Sequence, residues 1–571
     1  MFHHAGKPYA FLPESSVPCM AGITYKRRFP QKRCDFVPKA KDARSFFSLS
    51  EEKVVPLSLQ KFLSMGKFIE IMDTTLRDGE QTEGVSFVLH EKLTIARMLL
   101  FDLNVDRIEV ASARVSEGEK DAVKSVCRWA RQAGMLERVE VLGFVDGTAS
   151  LDWINDCGCR NINLLCKGSE KHCTYQLKKT LEEHVEDIRR SIGYANELGI
   201  SVNIYMEDWS NGMKDSPEYV FAFIDALKDS GIRRFMLADT LGILNPILVT
   251  DYVGQMVARY PDLHFDFHAH NDYDLAVSNA LAAVMAGCKG VHAALNGLGE
   301  RAGNAPLASV QAILKDHAHV HTNIKEENLG TVSTMVESLS GIAIPPNKPI
   351  IGESVFTQVA GVHADGDNKN NLYCNDLLPE RFGRKRGYAL GKNSGKANIL
   401  KNLEELGLEL TPEQTRRVTD RIIELGDKKQ LVTQEDLPYI VADVLKHDTP
   451  DDRVKLISYM VSTAYGLKPM ASVKLAVNGE IYEESAMGDG MYDAFVRAVR
   501  HIYRDRLERK FPWLTNYVVN IPPGGRTDAL VQTTISWTHN GKSYRTRGLD
   551  ADQTEAAIKA TIKMLNVIEN E

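Results

Sequence analysis

From Lys67 onward the chain repeats one pattern: a short run rich in β-branched and aromatic residues, a polar loop, then a stretch with apolar residues every three to four positions. Strands are predicted at Phe68–Asp73, Arg107–Ser112, Arg138–Phe144, Asn161–Cys166, Ser201–Glu207, Arg234–Asp239, Leu263–His270 and Gly290–Asn296. Between them, Leu177–Leu198, Pro217–Lys228 and Asn245–Tyr260 read as amphipathic helices. Strands alternating with helices imply a parallel sheet. Eight such units in about 250 residues match a closed (β/α)8 barrel, the TIM barrel. An open doubly wound sheet is the competitor, but no G-x-G-x-x-G follows the first strand.

The barrel is expected to fill residues 65–322. Mostly helical linker subdomains should follow over 323–466, with Leu403–Leu467 as a candidate switching element, and a small α+β domain over 467–571. In that last unit the pattern gives a strand (Ala471–Val477), a helix (Met491–Leu507), three strands between Tyr517 and Thr546, and a helix (Ala551–Leu565). Asn478-Gly479, Pro522-Pro523-Gly524-Gly525 and Asn540-Gly541 mark its turns. Residues 1–64 break the pattern, carry short basic runs such as Lys26-Arg27-Arg28, and are expected to be a disordered extension.

Active sites on such barrels sit at the C-terminal strand ends, and polar residues gather there. Arg77 and Asp78 follow the first strand, Glu207 ends the fifth, Asp239 and Thr240 the sixth, His268 and His270 the seventh, and Gly299-Glu300-Arg301-Ala302-Gly303-Asn304 follows the eighth. His268 and His270 are two apart on a strand, so both imidazoles leave one face and can offer two nitrogens to a divalent metal. Asp78 can supply a third ligand. That set leaves positions open for a chelating 2-oxo acid, whose ketone a metal would polarise. Arg77 can place a second positive charge on the developing oxyanion.

D-T-T-L-R-D-G-E-Q (73–81), H-A-H-N-D (268–272) and G-E-R-A-G-N-A-P (299–306) resemble the TIM-barrel metallolyases, in particular the 2-isopropylmalate, homocitrate and citramalate synthases. The likeness runs from about residue 67 to the C-terminus. It implies an enzyme that condenses acetyl-CoA with a 2-oxo acid. Asp78, His268 and His270 would bind the metal, with Asn304 as a further ligand, and Arg77, Glu207 and Thr240 would hold the 2-oxo acid and assist. The segment F-T-Q-V-A-G-V-H-A-D-G-D-N-K-N-N-L-Y (356–373) looks like the family's small subdomain that closes over the partner subunit's barrel. Carried over, His363 is the base that deprotonates the acetyl methyl, Tyr373 sits beside it, and Asp365, Asn371 and Leu372 lie near the acetyl-CoA. The C-terminal unit resembles the regulatory domain of the same synthases, implying a homodimer and an amino-acid effector, isoleucine or leucine. One departure is Asp274, where many relatives carry glycine.

The choice of 2-oxo acid is read from volume. Tyr205 shares the inward face with Glu207, where 2-isopropylmalate synthases typically have a small residue. With Leu142 and Leu165 it resembles the pyruvate pocket of the bacterial citramalate synthases. Pyruvate is therefore expected, with 2-oxoisovalerate as the alternative. The basic run 381–386 is a candidate for the CoA phosphates, with a solvated surface run as the equal alternative. A 3-hydroxyacyl-CoA lyase, which would lack the G-V-H-A-D-G-D segment and the tail, and an idle amino-acid sensor are the rival readings.

Composition adds exclusions. A net charge of −7 argues against a nucleic-acid binder, and no apolar run of about 18 residues suggests a membrane span. Nine scattered cysteines, Cys157 and Cys159 among them, read as free thiols in a reducing cytoplasm. Ligand type alone does not choose among Mn²⁺, Mg²⁺, Co²⁺ and Zn²⁺.

Overall fold

The computed structural model describes residues 67–367, 369, 372–427, 432, 434–445, 453–520, 531–550 and 552–570. The expectations for residues 1–64, for Asn371 and for the Pro522–Gly525 turn fall outside these residues. Eight parallel strands close into a barrel in sequence order: β1 (Glu70–Asp73), β2 (Arg107–Ser112), β3 (Val139–Phe144), β4 (Asn161–Lys167), β5 (Ser201–Glu207), β6 (Phe235–Asp239), β7 (Phe265–Ala269) and β8 (Gly290–Ala293). β1 pairs with β8 to complete the ring. All eight predicted strands are present, two with the predicted bounds and the others with ends that shift by at most three residues.

The outer ring consists of α1 (Leu89–Arg97), α2 (Glu117–Gln132), α3 (Ala149–Cys157), α4 (Leu181–Glu197), α5 (Pro217–Leu227), α6 (Pro246–Arg259), α7 (Ala276–Ala286) and α8 (Leu307–His317). Local chemistry sets their starts. Helix α4 begins later than its periodicity suggests because Thr180 caps it, its hydroxyl accepting from Glu183 N–H while the Glu183 carboxylate accepts from Thr180 N–H. Asn245 caps α6 ahead of Pro246, whose missing N–H costs nothing at the first helical position. One continuous core of Ile, Val, Leu and Phe side chains joins strands to helices.

Inside the barrel the filling is partly ionic. Arg107 reaches Glu70, Glu140 and Asp266, and His292 and His264 also face Asp266. Buried charges of this kind need partners, and each of these has one.

Beyond the barrel come α9 (Leu329–Ser340), α10 (Gly361–Asp367), α11 (Lys396–Glu405), α12 (Pro412–Asp427) and α13 (Leu437–Leu445). The basic run 381–386 is spent on holding this region together. Arg381 pairs with Asp316 and Glu326, Arg384 donates to the carbonyls of Ile350, Gly352 and Glu353, and Arg386 pairs with Asp367. Each of these three arginines thus already has acceptors within its own chain, which compete with the role expected of the run at the CoA phosphates.

The C-terminal part is two successive β-β-β-α units. β9 (Val454–Ser462), β10 (Met470–Val477) and β11 (Glu480–Met487) form one antiparallel sheet followed by α14 (Met491–His501). β12 (Trp513–Asn520), β13 (Val531–His539) and β14 (Lys542–Asp550) form the other, followed by α15 (Gln553–Asn570). Two strands, β9 and β11, were not anticipated, and β9 lies ahead of the expected boundary at 467, inside the stretch read as helical linker. A register irregularity between Leu456 and Ser458 spoils the period-two alternation that would have revealed β9. Lys563 and Arg547 reach Asp436, and Arg545 reaches Glu353, tying this part to the linker.

Candidate functional site

The motif D-T-T-L-R-D turns sharply off β1. Asp78 N–H and Gly79 N–H both donate to the Thr74 carbonyl, folding Arg77 and Asp78 back over the barrel mouth. Across the mouth, His268 lies on β7 and His270 just beyond it. The backbone at His270 pairs with that at Asn304, which brings the loop after β8 alongside. Asp78, His268 and His270 each offer a ligand atom, and these atoms lie within 4.8 Å of one another. Asp78 Oδ2 is 3.3 Å from His268 Nε2 and 3.8 Å from His270 Nε2, and all three side chains are buried.

Two observations favour a cation there. Asp78 Oδ1, His270 Nδ1 and Asn304 Oδ1 are buried without hydrogen-bond partners, although buried polar atoms are ordinarily paired. Asn304 Nδ2 donates to Leu298 O at 3.0 Å, so its amide is oriented with the oxygen left over. The protonation states also suit metal binding. Burial alone would push the Asp78 carboxyl up, but the Arg77 guanidinium and the two imidazoles hold it well below the carboxylate range. Burial lowers His268 and pushes His270 down to about 4, its neighbour His268 adding to the effect. An ionised carboxylate and two neutral imidazoles are what a divalent metal needs.

The loops around this corner are tightly bound. Arg301 holds Asp272 through two hydrogen bonds of 2.8 and 3.0 Å and donates to the Thr240 carbonyl at 2.8 Å, joining the ends of β6 and β7 to the loop after β8. A Cβ on Gly303, at φ +88°, would meet the Gly297 carbonyl at 2.0 Å, so only glycine fits this approach. Asp274, the departure from the family's glycine, sits at φ +58°. Its carboxylate accepts from Asn271 Nδ2 at 3.1 Å, a local bond that helps aspartate tolerate the left-handed region. The turn geometry that glycine would favour is therefore kept here by another residue.

Beside the metal corner, Arg77 donates from Nε to Glu109 Oε2 at 2.5 Å and contacts Tyr205 Oη at 3.4 Å. Glu109 is buried and accepts in turn from Asn163, which accepts from Asn203. The Tyr205 ring stands edge-on to His268, with centroids 5.4 Å apart. It packs with Leu142, Met72, Met236, Ala238 and Leu165 in one small apolar cluster. Glu207 is paired with Lys167. The Thr240 hydroxyl accepts from Asp208 N–H at 2.8 Å, leaving its own proton to donate.

Arg77, Asp78, Tyr205, His268, Leu142 and Leu165 thus share the mouth, with Glu207, Thr240 and Asn304 at its rim. Glu109 and Lys167 are residues that the motif reading passes over, and Arg301 is one that it names without a role. Strand parity signals Glu109 and Lys167, since Glu109 lies two beyond Arg107 and Lys167 two beyond Leu165. The expected acetyl-CoA residues form a second group. His363 and Tyr373 stack with centroids 4.4 Å apart, Asp365 pairs with Lys369 at 2.6 Å, and Leu372 is 68% exposed. Among the described residues, no hydrogen bond, ion pair or ring contact joins this group to Asp78, His268 or His270.

Fold and site together define a class: (β/α)8 enzymes with a candidate divalent-metal centre at the mouth. Family comparison narrows it. Residues 68–336 match the HMGL-like family, 350–430 the homocitrate synthase post-HMGL domain-like family, and 431–569 the LeuA allosteric (dimerisation) domain. The chain is 34% identical to the (R)-citramalate synthase of Methanocaldococcus jannaschii, covering 88% of this chain and 100% of that one. It is also 34% identical to the 2-isopropylmalate synthase of the same organism, covering 91% and 98%. Among solved structures it resembles the Bacillus subtilis HMG-CoA lyase, with 22% identity and a TM-score of 0.44 over 50% of this chain and 97% of that one. The chain belongs to the family of citramalate and 2-isopropylmalate synthases, acyl-transferring enzymes on an HMGL-like barrel.

Proposed function

We propose that this enzyme condenses acetyl-CoA with pyruvate to give (R)-citramalate, on the route to isoleucine. Membership of the family supports the acetyl-CoA condensation with a 2-oxo acid. Equal identity to two relatives with different names does not choose the acid. One observation carries the choice of pyruvate: the Tyr205 ring stands in the wall of the site, between Arg77 and His268, and packs with Leu142. A methyl group fits beside that wall, whereas the isopropyl group of 2-oxoisovalerate needs the space the ring fills.

The residues divide the work. Asp78, His268, His270 and Asn304 would hold a divalent metal, which when bound supplies Lewis acidity to the ketone of the 2-oxo acid. Arg77, fixed by Glu109, orients the substrate and offers N–H donors to the oxygen that becomes negative. Thr240 donates from its hydroxyl, and Glu207 lines the same rim. His363 takes a proton from the acetyl methyl, with Tyr373 fixing its ring. The resulting enol carbon forms the new C–C bond to the ketone carbon, whose oxygen gains the electron pair and then a proton. Water cleaves the thioester and CoA leaves. Because, among the described residues, no hydrogen bond, ion pair or ring contact joins His363 to the metal corner of its own chain, we assign it to the barrel of a second copy, which makes the active unit a homodimer. Residues 65–322 then act as the catalytic domain and 323–466 as the linker with its lid. The C-terminal part, nominally 467–571 and structurally starting at β9, acts as the domain that binds an amino-acid effector, isoleucine on the pyruvate reading. All seven described cysteines are free, which fits a cytoplasmic setting. Among the described residues, no helix is long and apolar enough to cross a membrane.

The test is CoA release, followed with a thiol reagent, using acetyl-CoA, Mn²⁺ and either pyruvate or 2-oxoisovalerate. Preference for pyruvate, with citramalate as product, is expected. Preference for 2-oxoisovalerate would overturn the pocket argument and point to 2-isopropylmalate and leucine.

A further inference from the structure

The parallel register of β4 and β5 sets two layers of side chains against one another. Leu165 is paired with Tyr205, and two residues on, Lys167 is paired with Glu207. The first layer is the apolar wall of the substrate pocket, and the second lies directly above it at the mouth. The Lys167 ammonium contacts the Glu207 carboxylate, with Lys167 buried and Glu207 24% exposed. Among the described residues Glu207 is its only hydrogen-bond partner, although an ammonium carries three donors.

The main chain at this point is held from three sides. Lys167 N–H donates to His184 Nε2 at 3.1 Å, Tyr219 Oη donates to the Lys167 carbonyl at 3.1 Å, and Gly168 N–H donates to the Glu207 carbonyl at 2.6 Å. A Cβ on Gly168 would meet the Glu207 carbonyl at 2.9 Å, so the two strand ends touch. Such pinning fixes the origin of both side chains and leaves little freedom for them to part.

This arrangement answers an electrostatic problem posed by the proposed reaction. The substrate is itself a carboxylate, and Glu207 places a second negative charge at the mouth it must enter. Like charges a few ångströms apart in a partly buried site repel strongly. We infer that Lys167 is a positioning residue that neutralises Glu207 and fixes its carboxylate, so that the β4–β5 rim accepts an anionic 2-oxo acid. The inference rests on the condensation reading given above.

Steady-state kinetics on the full-length protein with Mn²⁺ test it. Lys167→Met should raise KM for the 2-oxo acid about tenfold or more while changing KM for acetyl-CoA less than about twofold, a tenfold step being the loss of one modest charge interaction. Lys167→Arg should restore most of the affinity. Adding Glu207→Gln to Lys167→Met should bring KM for the 2-oxo acid back toward that of Glu207→Gln alone, because the uncompensated charge is gone. The thermal midpoint of each variant is measured alongside. An unchanged KM in Lys167→Met, a parallel rise in both KM values with a lowered midpoint, or strict additivity in the double variant would each overturn the inference. A wild-type enzyme that releases no CoA with any 2-oxo acid would overturn the condensation reading and this inference with it. An active wild type with additive variants would overturn this inference alone.

Discussion

The metal corner and the His363–Tyr373 pair are built to opposite standards. Around Asp78 every loop is tied: Arg301 bridges Asp272 and Thr240, the Thr82 hydroxyl exchanges hydrogen bonds with the Gly299 backbone, and Asn304 is locked to Leu298. The candidate ligands are buried, and one ligand atom from each of Asp78, His268 and His270 lies within 4.8 Å of the others. His363 and Tyr373 touch each other, yet Tyr373 is 48% exposed and the pair has no partner in its own barrel mouth among the described residues. On the proposed reading, the contrast shows how the work would be divided. Holding and polarising a small 2-oxo acid needs a rigid pre-formed site. Deprotonating acetyl-CoA beside it calls for a group that arrives with the second substrate and excludes water as it closes.

Removing a ligand should show the largest effect. Asp78→Asn or His268→Ala should abolish tight Mn²⁺ binding in calorimetry and lower kcat/KM by about a thousandfold or more, since Lewis-acid stabilisation amounts to several kcal/mol. Retained metal affinity in either variant would move the centre elsewhere. His363→Ala should lower kcat by about a hundredfold to ten-thousandfold, the usual span for a positioned base, and leave Mn²⁺ affinity unchanged. A loss of metal affinity in that variant would erase the distinction between the two regions. The smallest effect sharpens the first region alone. Tyr205→Ser should shift the kcat/KM ratio of pyruvate to 2-oxoisovalerate toward the larger acid by about ten- to a hundredfold, within the range of apolar-pocket discrimination. An unmoved ratio would show that the ring does not bound the pocket.

Much of this was legible from pattern. The barrel strands stand out cleanly between the helices because each is buried on both faces. The candidate metal ligands sit in motifs whose spacing carries them to the rim. What escaped did so for identifiable reasons. Glu109 and Lys167 act through neighbouring strands, and a one-dimensional motif scan does not see cross-strand register. Arg381, Arg384 and Arg386 look like a solvated basic run in sequence, whereas their acceptors lie far away in the chain. Strand β9 is irregular where it pairs with β10. Strand β11, E-I-Y-E-E-S-A-M, is too rich in glutamate to read as a strand despite the Asn478-Gly479 turn that begins the hairpin.

The division of labour between copies is tested most directly by a mixed dimer. Asp78→Asn and His363→Ala chains carrying different tags are co-expressed, and the species bearing both tags is purified. If His363 serves the partner's barrel, one of the two mouths in that species has a complete ligand set and an intact base, and CoA release should return to about half the wild-type rate, by simple counting of sites. A mixed species as inactive as its two parents would contradict the account and place both groups of residues within one chain.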